Sequence, residues 1–205
     1  MSKYIKIWPE QVSEGFCQHL IEKFEQDKRV QDDPQPDYST RSFLVLSGLS
    51  GWQKECKQLE SIVKQNMQRY FALPKRYREV VPTQWGHDGF LMARYRPGDT
   101  CILHVDGQCA VPPQNKLRLA TFLLYLNTLK KGGETVFPLQ EAKVCPETGK
   151  VVIFPPTHTH PHEVLASRET RYILQTWIVD PNFLIEPNRP KENRRSRSFQ
   201  RKKRF

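Results

Sequence analysis

The segment Thr100-Cys101-Ile102-Leu103-His104-Val105-Asp106-Gly107 carries a His-x-Asp. Residues two apart on an extended strand point to the same face, so His104 and Asp106 can offer an imidazole nitrogen and a carboxylate oxygen to one point. Taken alone such a pair is common, and a solvated or hydrogen-bonded pair is its ordinary reading. Far downstream, Pro155-Pro156-Thr157-His158-Thr159-His160-Pro161-His162-Glu163-Val164 brings three histidines at alternate positions. Any one of them completes a set of two histidines and one carboxylate, which grips ferrous iron from one side and leaves three coordination positions open. A structural zinc site would ask for four protein ligands, commonly thiolates. The residue pattern does not choose among His158, His160 and His162, and the run also suits a solvent-facing loop.

A third element is the β-rich stretch Arg171-Tyr172-Ile173-Leu174-Gln175-Thr176-Trp177. Arg171 alternates with Ile173, Gln175 and Trp177 along one face. An arginine leading into a mostly buried strand is costly unless an anion meets it. An internal Glu would serve, and so would a dicarboxylic ligand held by bidentate charge-assisted bonds.

The elements that must position these residues follow from periodicity. Between Pro9 and Lys28, Val12, Phe16, Leu20, Ile21 and Phe24 mark one helical face, with Pro9 or Ser13 as the start signal. Asp32-Asp33-Pro34-Gln35-Pro36-Asp37 reads as a loop. A second helix is predicted from Trp52 to Phe71, with Leu59, Ile62, Val63, Met67 and Tyr70 on its buried side. After Pro74 the pattern turns to short β segments at 89–95, 119–126, 151–154 and 171–179, separated by Gly and Pro turns as in a sandwich or jelly roll. Two supporting helices on an antiparallel β core, followed by a basic tail, is the expected layout.

With 205 residues the chain can bury a sizeable core. No apolar run approaches the roughly 20 residues needed to span a bilayer. The opening Met1-Ser2-Lys3-Tyr4-Ile5-Lys6 lacks the features of a secretory signal, and the five cysteines, Cys17, Cys56, Cys101, Cys109 and Cys145, form no CxxC pair. Reduced thiols in a cytoplasmic setting are expected. Charge is uneven: residues 186–205 hold nine Lys/Arg and two Glu, +7 of the formal +10, which leaves +3 for residues 1–185. The tail is expected to be disordered, serving either for solubility or to attract an acidic partner or nucleic acid by counterion release. Phe199 and Phe205 are too few for a base-stacking platform.

Tyr95, His104-Val105-Asp106, Arg118-Leu119-Ala120-Thr121, Tyr125-Leu126-Asn127, Gly132-Gly133-Glu134-Thr135-Val136-Phe137-Pro138, His162-Glu163-Val164 and Arg171-Tyr172 follow one another in that order. This ordered set, over residues 83–181, resembles the Fe(II)/2-oxoglutarate-dependent dioxygenases, specifically the prolyl 4-hydroxylase-like branch in its short stand-alone microbial or viral form. In that family the distal histidine lies nine positions before the cosubstrate-binding arginine, which selects His162 and leaves His158 and His160 as loop neighbours.

The resemblance implies a mainly β fold with flanking helices: a double-stranded β-helix (jelly-roll) core at 81–181, an N-terminal helical support region at 1–80, and the basic tail at 186–205. It implies Fe(II) on His104, Asp106 and His162, and 2-oxoglutarate on Arg171 with Tyr95, Tyr125, Thr121 and Leu123 beside it. Arg118 and Trp177 would face the substrate, although Arg118 could equally cap its strand and Trp177 could be a core residue. Gly132-Gly133 would be a tight connection between strands. The implied reaction uses O2, with ascorbate as a reductant, to hydroxylate a prolyl C–H in a peptide or protein, releasing succinate and CO2. The cytoplasm, of a host if the chain is viral, is the expected location. The loops at Asp37–Phe43 and Gln108–Lys116 would read the substrate. Another side chain or a nucleobase as target, or a non-catalytic β-barrel binding module, are the other readings.

Overall fold

The computed structural model describes residues 4–72, 84–107 and 116–184. The basic tail, Cys109 and the 108–115 part of the expected recognition loop lie outside these residues.

Twelve strands form two antiparallel sheets among the described residues. The larger sheet holds β1 (Lys6–Trp8), β2 (Gln31–Asp32), β3 (Ser42–Val45), β4 (Gly86–His87), β5 (Leu91–Tyr95), β7 (Lys116–Tyr125), β10 (Val151–Phe154) and β12 (Arg171–Leu184). Its order is β1-β10-β7-β12-β5-β3-β2, with β4 also on β12. The smaller sheet runs β6 (Cys101–His104), β11 (His162–Val164), β8 (Thr135–Phe137), β9 (Ala142–Val144). The result is the jelly-roll core with helical support that the sequence led us to expect. The N-terminal region also contributes β1, β2 and β3 to the large sheet, three strands the sequence reading did not predict.

Both faces of the large sheet are covered, which is why β7 and β12 read as almost continuous apolar runs. On β7, Ala120, Phe122 and Leu124 pack into one core with Leu20, Phe24, Leu59, Val63 and Met67 of the helices. The alternate residues Leu123 and Tyr125 face the small sheet, joining Phe137, Val144 and Val164 in a second core. Each fully buried aliphatic side chain contributes about 1.5–3 kcal/mol.

Helix α1 spans Glu14–Gln26 and α2 spans Gln53–Tyr70. The predicted start at Pro9 is replaced by the other candidate: Ser13 caps α1 and its hydroxyl accepts the Phe16 N–H. Residues just before it are held elsewhere, since the Gln11 amide donates to the Gly149 carbonyl. The helices are joined where the buried Trp52 indole donates to the Asp27 carboxylate at 2.8 Å, and where Glu55 pairs with Lys23 and His19. Among the described residues no helix is long and apolar enough to cross a membrane.

Candidate metal centre and its pocket

His104 is the last residue of β6 and His162 the first of β11, and the antiparallel register sets them opposite each other. Their ring centroids are 4.3 Å apart. Asp106 was expected to share the strand with His104. It lies instead two residues past the strand's end, because β11 begins at His162 and leaves nothing for residue 106 to pair with. Its carboxylate still reaches the histidines: Oδ1 is 3.9 Å from His104 Nε2, and Oδ2 is 3.9 Å from His162 Nε2. One atom from each of the three side chains lies within 4.8 Å of the others.

Backbone and side chains fix this cluster. His104 Nδ1 is 2.8 Å from the Ile102 carbonyl, and His162 Nδ1 is 3.2 Å from the His160 carbonyl. Thr121, one turn of the pleat from Leu123, gives its hydroxyl proton to Asp106 Oδ2. Arg118 donates to the Asp106 carbonyl at 2.6 Å and meets Asp88 at 3.4 Å, its guanidinium lying 3.7 Å from the Trp177 ring centre. Arg118 is thus a buried brace rather than a strand cap. Phe154 and Phe137 wall the His162 ring, and burial among them pushes its pKa down, so the neutral, metal-binding form is favoured. Neither of the other histidines joins: His158 is exposed, and His160 is buried against Thr159, whose hydroxyl sits 2.8 Å from its Nδ1.

The cluster opens into a cavity of about 210 Å³ between the two sheets. Arg171, 1% exposed, stands in its wall at the start of β12. Its Nη2 donates to Thr135 Oγ1 at 3.2 Å, while Nε and Nη1 are buried and have no partner among the described residues. No carboxylate there pairs with it, so the internal Glu weighed from the sequence is not found. Tyr95 and Tyr125 bracket the guanidinium at 4.8 and 5.3 Å. Tyr125 is fully buried and donates to Thr135 at 2.7 Å; burial raises its pKa, which keeps that proton in place. Leu123, Gln175 and Trp177 complete the same wall, as alternation along β7 and β12 requires.

Among the lining residues that the sequence reading did not name as site candidates are Tyr38, Arg41, Thr135 and Phe154. Tyr38 packs edge-on against the His104 ring at 5.0 Å. Arg41, held by Asp33 at 3.1 Å, reaches the Tyr95 hydroxyl at 3.5 Å. Both belong to the 37–43 loop suspected of substrate contact. Thr135 could have been found, since it and Phe137 are the inward residues of the Gly132–Pro138 run.

This geometry fits two groups. Two imidazoles with Nε2 turned inward and one carboxylate suit a ferrous ion, and a buried guanidinium with two unanswered donors suits the far carboxylate of a dicarboxylate.

Residues 90–179 match the family model described as the 2OG-Fe(II) oxygenase superfamily. Over these residues the chain is similar to a 2OG-Fe(II) oxygenase domain. A curated protein similar to this chain is a "Probable prolyl 4-hydroxylase 9" of Arabidopsis thaliana, 36% identical over 63 residues. That match spans 30% of this chain and 22% of the relative's length. Among solved structures, a viral collagen prolyl hydroxylase from Paramecium Bursaria Chlorella virus-1 superposes with a TM-score of 0.63 at 19% identity, covering 87% of this chain and 97% of that one. A Trichoplax adhaerens prolyl hydroxylase, in complex with a hypoxia inducible factor oxygen degradation domain peptide, gives 0.68 at 19% identity, covering 87% and 84%. A Pseudomonas putida prolyl-4-hydroxylase gives 0.58 at 16% identity, covering 86% and 92%. The chain shares their jelly-roll fold.

Proposed function

We propose that the chain is an Fe(II)- and 2-oxoglutarate-dependent dioxygenase that hydroxylates a prolyl residue in a peptide or protein and releases succinate and CO2. The observation carrying the reading is the position of Arg171, a buried and unanswered cation in the same cavity as the His104–Asp106–His162 cluster. A prolyl target is supported by the kind of protein that shares the fold and by the peptide bound to one of them.

When bound, iron and 2-oxoglutarate supply the oxidising chemistry that inserts one atom of O2 into a C–H bond while the oxo acid loses CO2. The chain's own residues bind and orient. His104, Asp106 and His162 would hold the metal from one side. Arg171, with Thr135 beside it, would take the distal carboxylate, and Tyr95, Tyr125 and Leu123 would shape its channel. Thr121 and Arg118 keep Asp106 in place, Arg118 acting on the backbone with Asp88 as its counter-anchor. Trp177 and Arg118 line the side from which substrate enters. Tyr38, Tyr95, Phe154 and Trp177 in the cavity wall would limit the water that reaches a bound metal. Ascorbate would serve as reductant. The nine Lys/Arg of residues 186–205 favour an additional acidic contact, nucleic acid included, whose mark would be salt-sensitive activity in the full chain alone.

The test supplies Fe(II), 2-oxoglutarate and O2 to the purified protein. Succinate should form slowly without added substrate, and prolyl peptides should gain the mass of one oxygen atom. Absence of succinate from iron-loaded protein would sink the enzyme reading and leave the binding-module alternative.

A further inference from the structure

Six large apolar side chains are strongly exposed among the described residues: Tyr4, Val45, Ile102, Leu103, Val105 and Leu139. Three of the six, Ile102 at 50%, Leu103 at 52% and Val105 at 40%, fall within four consecutive positions around His104. The backbone explains how. Across β6 and β11, His104 pairs with His162 and Cys101 with Val164, so Ile102 and Leu103 oppose the single residue Glu163. This is a β-bulge, and it breaks the alternation that would turn one of the two inward. Cys101 is buried with its Sγ 3.7 Å from His104 Nδ1, so both intervening side chains face out.

Val105 links this pair to the site, since it is exposed and also lines the cavity. An apolar strip therefore runs from the cavity mouth along β6, the edge strand of the small sheet. The edge backbone is partly occupied, because the Ile102 amide donates to the Tyr38 carbonyl at 3.0 Å, so the strip offers side chains rather than a free ladder. Residues 100–107 contain no Lys or Arg. Nothing on this strip answers a phosphate, and exposed apolar surface continuous with a binding cavity marks a docking face.

We propose that Ile102, Leu103 and Val105 dock the body of the substrate, a polypeptide segment whose residues flanking the oxidised one are apolar and uncharged. Val105 borders the cavity that holds the His104–Asp106–His162 cluster, so a target residue entering beside it would lay its chain neighbours on this strip. The inference rests on the reading of the chain as a peptide-directed dioxygenase.

The experiment uses the full chain with Fe(II), 2-oxoglutarate and O2 and two sets of prolyl peptides of equal length, one flanked by Leu and Val, the other by Asp and Lys. Single-stranded oligonucleotides form a third arm. Oxygen incorporation is read by mass spectrometry and succinate separately. The apolar-flanked set should show kcat/KM about tenfold higher, the effect of roughly one partly buried aliphatic side chain. Leu103→Glu should erase that preference through KM, whereas Leu139→Glu, at an exposed apolar site elsewhere, should keep it. Equal rates for the two sets, a preference that survives Leu103→Glu, or oxidation of the oligonucleotides in place of the peptides would overturn the proposal. If wild-type protein makes succinate but neither peptide set gains oxygen, the docking proposal falls while the oxygenase reading stands. If no succinate forms, both fall.

Discussion

His104 Nδ1 lies 2.8 Å from the carbonyl oxygen of Ile102, the first residue of the bulge beside it. A carbonyl can only accept, so the proton sits on Nδ1 and the Nε2 lone pair faces the cluster. His162 repeats the arrangement with the carbonyl of His160. Both anchors are backbone atoms two residues upstream and survive any change of side chain there. His160→Ala and His158→Ala should therefore leave Mn(II) or Fe(II) binding largely intact in calorimetric titration. His162→Ala should weaken it beyond the roughly 10–100-fold that loss of an outer partner costs. Equal losses for all three variants would reject His162 as the ligand.

Thr121 tests the support of the carboxylate. Its hydroxyl is bonded to Asp106 Oδ2, so Thr121→Val leaves the shape of the side chain and removes the donor. Metal affinity should fall by about 10–100-fold, and Thr121→Ser should restore it. Circular dichroism should not distinguish the three proteins, since Thr121 faces the cavity rather than the helical core.

Arg171 is a case where function opposes stability. A buried guanidinium with two unanswered donors destabilises the ligand-free fold. Arg171→Met should melt at or above the wild-type temperature without cosubstrate. Wild type with metal should gain about 2.7 kcal/mol at a 2-oxoglutarate concentration 100 times Kd, and the variant should gain none. Differential scanning fluorimetry with and without 2-oxoglutarate reads both halves.

What the sequence made legible and what it concealed divide along physical lines. Thr121, Leu123 and Tyr125 on β7, and Arg171, Ile173, Gln175 and Trp177 on β12, were assigned to one face because a regular strand has a period of two. The same rule failed at Ile102 and Leu103, since a bulge adds a residue that no local pattern announces. It also placed Asp106 on a strand that ends at His104, because strand length depends on where the partner β11 starts. Tyr38 reaches the site through backbone contact with β6, Arg41 from the start of β3 paired with β5, and Asp88 beside β4 paired with β12, contacts distant in sequence. The choice of His162 over its neighbours came from spacing to Arg171 within a family pattern, and Pro161 removed the periodicity that could have decided it.

Glu55 predicts how the fold responds to acid. Burial alone would raise its pKa, but Lys23 and His19, at 2.8 and 2.9 Å, overcome this and lower it to about 2. A depressed carboxyl contributes stability above its unfolded pKa and loses it as pH falls through the folded one. The contribution, up to about 3 kcal/mol, should be complete above about pH 5, small by about pH 2 and lost below it. In urea titrations across that range, Glu55→Gln should be less stable than wild type at pH 7 and converge with it in acid. A constant gap between the two proteins would rule out the ion pair as the cause.

Gly132 stands at the tight connection before β8, with φ at 81° and an isolated bridge to Ser167. An added Cβ would lie 2.5 Å from the Ala166 carbonyl oxygen and 2.9 Å from Ser167 Cα, both backbone atoms that cannot swing away. The left-handed conformation costs a non-glycine residue about 1–2 kcal/mol, and overpacking adds about 1–3 kcal/mol. Gly132→Ala should therefore lose about 2–5 kcal/mol, with Tm falling by about 2–4 °C for each kcal/mol. Gly133→Ala differs in kind: its Cβ would press on Leu129 at 2.6 Å and on Arg171 Cδ at 3.3 Å. It should raise the Kd for 2-oxoglutarate as well as lowering Tm, whereas Gly132→Ala lowers Tm and leaves the Kd of the folded protein unchanged. Measuring both quantities for both variants separates strain in the turn from displacement of the guanidinium, and identical effects on Kd would show that the turn does not hold Arg171 in place.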